Sequence, residues 1–176
     1  KEKEDLKRKV DELDKELKKL NEDSRRKTKE LIKRLKDINK RLREELEKLA
    51  DELRKKVKDD EDLVKKVEDI IREAEKLLEE DHELIERIAE RMRRSNDRDH
   101  ELIKRIREEI ERLLREGGDR VEELDREITE LIKELRRHTE EVIRRNEKLA
   151  RELEKHSRDI METIRELIRD LERTAK

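Results

Sequence analysis

His82 and His100 stand 18 residues apart, and so do His138 and His156, and the amides Asn21 and Asn39. A neutral imidazole offers one donor and one acceptor, and an Asn amide offers both, so one Asn and two His can close a hydrogen-bonded ring without net charge. The same residues are poor material for other chemistry. His100 with His138, or His82 with His156, could give Zn²⁺ two nitrogens, but the only further ligand in either set is an Asn amide, and the chain has neither cysteine nor an HExxH segment. With no Cys or Tyr and few hydroxyls, no activated nucleophile is assembled, and the many carboxylates belong by default to a solvated face. No catalytic residue, metal or cofactor is therefore expected.

The elements that must position these side chains are read from the apolar pattern. Leu131, Leu149 and Leu167 are 18 apart, as are Leu13, Leu31 and Leu49, and Ile70, Ile88 and Ile106. Eighteen residues in five turns is the 3.6-residue period of a straight helix, whereas a strict heptad would impose left-handed supercoiling. Two places read as helix ends. In "REGGDRVEEL", Gly117 and Gly118 can take the left-handed conformation that stops a helix, and Asp119 with Glu122 forms a capping-box pattern. In "KKVKDDEDLV", Asp59 or Asp60 can cap a new helix whose positive end suits the acidic cluster. Helices of about 1–58, 61–116 and 119–176 follow, each roughly 85 Å long at 1.5 Å per residue. Short loops between matched helices predict an all-α fold, an elongated, nearly straight antiparallel three-helix bundle forming a single domain over residues 1–176. Apolar arcs of roughly 160° on the second and third helices and about 120° on the first suit rods that each touch two neighbours.

In such a bundle a residue's height is its number on the first helix, about 119 minus its number on the second, and its number minus about 118 on the third. Asn21, His100 and His138 then share one level, and Asn39, His82 and His156 share another about 27 Å away. Two buried Asn/His/His layers of one composition are expected to penalise helix slippage, because a one-turn shift strands several polar groups at once. Between them the first helix carries "NEDSRRKTKE", ten residues without an apolar side chain, level with "RRSNDRDHE" on the second. Ser24, Thr28, Ser95, Asn96, Thr139 and Asn146 fall in that slab, where only Met92, Val142 and Ile143 keep the stripe partly apolar. A cross-helix hydrogen-bond network is expected there, tolerable only if nearly every group is paired, since a buried orphan costs about 1–3 kcal/mol.

Composition narrows the rest. The chain is 60% charged with 52 basic and 54 acidic residues, and has no aromatic and no proline. Charge of alternating sign laid over helical apolar spacing argues for order rather than disorder. A near-neutral balance without a basic block or stacking aromatics argues against nucleic acid as a partner. No apolar run approaches the ~18 residues of a membrane span and no signal peptide is read at the start, so neither a membrane nor a small-molecule substrate is expected.

The 18-residue repeat, the near-duplicates "DHELIERI" (81–88) and "DHELIKRI" (99–106), the GGD loop, the Glu/Lys/Arg surface and the repeated Asn/His/His levels resemble those of de novo designed helical bundles with buried hydrogen-bond networks. That resemblance covers essentially the whole chain. It implies a stable scaffold with no natural ligand or localisation, obtained by recombinant cytoplasmic expression as a soluble protein, and it implies pH-responsive behaviour through His82, His100, His138 and His156. The physical argument for that behaviour is that buried imidazoles resist protonation, so the interior loses stability on acidification. The rival reading is association: Leu84 and Leu102, at the edge of the second helix's arc, could pack on a second copy in a homo-oligomer whose assembly follows histidine protonation. As a monomer, the chain would pack that row between its own helices.

Overall fold

The computed structural model describes residues 2–174, which form three helices and two turns: α1 (Glu2–Val57), α2 (Glu61–Glu116) and α3 (Val121–Thr174). The expected helix ends at Lys1 and at 175–176 lie outside the described residues. No strand occurs among those described. The molecule is a three-helix bundle, as the 3.6-residue stripe requires. The polar stretch 21–30 does not interrupt α1, because the helix is continuous through it.

The turns form where helix-stopping chemistry is written. At the first, the Asp60 carboxylate accepts from the Leu63 N–H at 3.3 Å and its carbonyl accepts from the Val64 N–H at 2.9 Å, making Asp60 the cap of α2. At the second, Gly118 takes the left-handed conformation (φ 57°), and the Gly117 N–H closes onto the Leu113 carbonyl at 2.9 Å. Here the expected start of α3 at 119 is corrected: Leu124 donates to the Arg120 carbonyl, so Arg120 is the cap, and the helix begins at Val121. Asp119 accepts from the Val121 N–H through its backbone carbonyl, not its side chain, so the capping box does not form.

Cross-helix ion pairs fix the directions. Asp14–Arg107, Arg25–Asp97, Lys36–Glu86, Arg43–Glu79 and Arg54–Glu68 join α1 to α2, and each pair's residue numbers add to 121 or 122. A constant sum means antiparallel chains. Glu16–Arg136 and Arg34–Glu154 join α1 to α3 with a constant difference of 120, so those two run parallel.

Contacts divide the chain into two compact units. One takes α1 up to Lys29, Arg91–Lys148 and a core built on Leu13, Leu17, Ile103, Ile110, Ile128 and Leu135. The other takes Glu30–Glu90 and α3 from Leu149 on, around Leu46, Ile71, Leu78, Ile85, Leu153 and Ile164. Each fully buried Leu or Ile contributes about 1.5–3 kcal/mol relative to exposure. Among the described residues no helix is long and apolar enough to cross a membrane.

Candidate functional site

In each unit the apolar stripe is crossed by polar side chains. In the unit built on Leu78 and Ile85, Asp81 lies three residues after the one and four before the other, which places it on the same helix face. Asn39 is bracketed likewise by Leu35 and Leu42, and Ser157 by Leu153 and Met161. Three helices thus point an amide, a carboxyl and a hydroxyl at one another. Asn39 Nδ2 donates to Asp81 Oδ2 at 2.7 Å and to the Leu78 carbonyl at 3.0 Å, while Ser157 Oγ donates to Asp81 Oδ1 at 2.8 Å. Arg43 closes the edge, its Nε donating to Asn39 Oδ1 at 2.9 Å and its Nη2 to Glu79 Oε2 at 3.0 Å. Both carboxyl oxygens of Asp81, 0% exposed, have donors.

The other unit carries the same constellation 18 residues away on every helix: Asn21 for Asn39, Arg25 for Arg43, Asp97 for Glu79, Asp99 for Asp81 and Thr139 for Ser157. Its geometry is looser. Thr139 Oγ1 stands 3.5 Å from Asp99 Oδ1, beyond the usual hydroxyl-to-oxygen range, and Asp99 Oδ2 is buried without a partner. Arg25 reaches Asp97 at 3.3 Å, and Asn21, though buried, makes no side-chain hydrogen bond among the described residues. Burial pushes the Asp99 carboxyl above its ordinary range, against the opposing pulls of His138, the Thr139 hydroxyl, Arg25 and His100.

The expected layers are therefore half right. Asn21 and Asn39 are buried, as expected. The histidines are not: His100 and His156 are exposed, His82 is half-buried, and the His138 side chain is 39% exposed, with Nε2 3.6 Å from Asp99 Oδ1. The buried positions belong to their neighbours Asp99, Ser157, Asp81 and Thr139. One residue along a helix is a rotation of about 100°, enough to carry an imidazole from the stripe to its margin. An interior that fails on acidification by protonating buried imidazoles consequently has no buried imidazole to act through.

Of the slab, Asn146 Nδ2 donates to Asn96 Oδ1 at 2.9 Å, leaving Asn146 Oδ1 buried and unpartnered, and Thr139 reaches Asp99 as described. Ser24 is buried and Thr28 and Ser95 are half-buried, and none of the three makes a side-chain hydrogen bond among the described residues. These buried contacts are separate pairs rather than a continuous web, with Met92 and Val142 buried around them. Leu84 and Leu102 are half-buried and pack on the cores of their own units. Among the described residues no group of three or more His, Cys, Asp or Glu could hold a metal ion. Comparison of the chain with family models, with curated proteins and with solved structures finds no match.

Proposed function

We propose that this chain is a designed structural scaffold, a three-helix bundle whose task is to hold one shape and whose helix register is set by layers of Asn, Asp and a hydroxyl. The observation that carries the reading is the closed layer at Asp81, where α1, α2 and α3 each supply a side chain and every acceptor of the carboxyl is met. Apolar residues of similar volume at these positions would often be as stable or more so, which leaves specificity as the role of the polar ones. Leucines at the core of neighbouring turns are interchangeable partners, whereas a one-turn slip of α1 would separate Asn39 from Asp81 and leave buried groups each costing about 1–3 kcal/mol. The designed origin rests on the duplication of five positions at a common 18-residue offset, together with a chain free of proline and aromatics.

Cysteine cross-linking tests the register role. Lys36→Cys with Glu86→Cys joins positions that face each other, whereas Lys36→Cys with His82→Cys or Glu90→Cys reports a one-turn slip. With the layer intact, oxidation should link the facing pair and leave the slipped pairs open. In an Asn39→Leu, Asp81→Leu, Ser157→Ala background the slipped pairs should begin to link. If they stay open there, the layer does not set the register. Light scattering at neutral pH addresses assembly, and a dimer would favour the self-associating reading over the monomeric scaffold.

A further inference from the structure

The two layers are the same constellation built twice, and they differ in one respect that has a chemical consequence. Asp81 has a donor on each oxygen, whereas Asp99, 1% exposed, has a distant hydroxyl on one and nothing on the other. An ionised carboxylate can only accept hydrogen bonds, and at Asp99 the donors are missing. A protonated carboxyl carries no charge into the interior and can itself donate from the oxygen that lacks a partner. The acceptor nearest to hand in the pattern is the amide of Asn21, a buried residue with no side-chain hydrogen bond among the described residues, at the position corresponding to Asn39, whose amide bonds to Asp81 at 2.7 Å.

The charged and titratable groups around Asp99 come from all three helices. Arg25 of α1 is engaged by Asp97 at 3.3 Å, His100 of α2 is exposed, and His138 of α3 is half-exposed at 3.6 Å. All three favour the ionised form, yet burial outweighs them. We propose that Asp99 is a protonation-responsive element of the unit that contains it, taking up a proton on acidification and so holding that unit more firmly closed at mildly acidic than at neutral pH. The sign is opposite to that expected of buried histidines. A carboxyl elevated by folding contributes its stability below the ordinary Asp value, and that contribution is lost as pH rises through the elevated one. The proposal does not depend on the register role of the layers.

Two measurements on the full chain test it. Site-resolved carboxyl-carbon NMR should give Asp99 a titration midpoint above that of an Asp in an unfolded peptide. Amide hydrogen exchange, corrected for the intrinsic pH dependence, should show protection in the Asp99 unit rising as pH falls from about 7 toward 4, by up to tenfold for each pKa unit of elevation. Asp99→Asn, a neutral isostere, should hold protection near the acid-side level at all pH values. His138→Gln should retain the response and move the Asp99 midpoint higher still. The proposal is overturned by an Asp99 midpoint at or below the peptide value, by a wild-type pH profile in Asp99→Asn, or by loss of the response in His138→Gln, which would assign it to the imidazole.

Discussion

Replacing the hydroxyl residue of each layer gives the sharpest measurement of what the geometry is worth. Ser157→Ala removes a donor at 2.8 Å from a fully buried carboxyl oxygen and leaves that oxygen without a partner. The lost bond and the stranded acceptor should together cost about 2 kcal/mol, while Ala gains about 0.5 kcal/mol over Ser in helix propensity, for a net loss of about 1.5 kcal/mol. Thr139→Val is the matched change in the other unit. Its hydroxyl is 3.5 Å from Asp99, too far for a full hydrogen bond, so exchanging it for a methyl should cost under about 0.5 kcal/mol. The assay is urea denaturation of both variants, with hydrogen exchange to assign the change to the unit that carries the substitution. Equal losses, or a larger loss for Thr139→Val, would refute the distinction between a closed and an open layer.

The exposed imidazoles make a second comparison. His100→Asn and His156→Asn should each change stability by less than about 0.5 kcal/mol, and the denaturation midpoint of the double variant should follow the parental pH profile. At the second turn, Gly118→Ala places a Cβ at φ 57° in open space, with a cost of about 1–2 kcal/mol from backbone strain alone. Gly117→Ala should destabilise more when thermal melts of the two variants are compared, because its Cβ would meet the Leu113 carbonyl oxygen at 2.7 Å and the Leu124 methyls at 2.6 Å.

Much of this was legible in the residues. Periodicity and the absence of proline specify three long helices, and the Gly-Gly-Asp and Asp-Asp stretches mark the turns, because helix stops depend on local chemistry. The levels of the polar layers were legible too, since short turns tie height to residue number. Azimuth was harder. In a chain where three residues in five are charged, Asp81 and Asp99 read as surface, while histidine draws the eye as the rarer type. The deciding signal was the company each keeps: Asp81 sits three and four residues from Leu78 and Ile85, at stripe spacing, whereas His82 is one step out of phase. Whether a hydroxyl lies 2.8 or 3.5 Å from its acceptor depends on packing and rotamer, which no spacing rule encodes.

The 18-residue duplication also acts as a vernier with a second coincidence. Slide α1 by that interval against its neighbours and Asn21 meets Asp81 and Arg25 meets Glu79, while Asn39 comes level with Leu63 and loses its carboxyl partner. A slip of one turn breaks both layers, whereas a slip of one whole repeat rebuilds one and strands the other, so side-chain matching alone leaves a half-matched alias. What removes that alias is covalent: the linkers 58–60 and 117–120 are three and four residues long, and three extended residues reach only roughly 10 Å, far short of the roughly 27 Å displacement. The same helices severed at the turns would have a second, half-matched way to mesh, so uniqueness of the threading belongs to the tethers as well as to the interior.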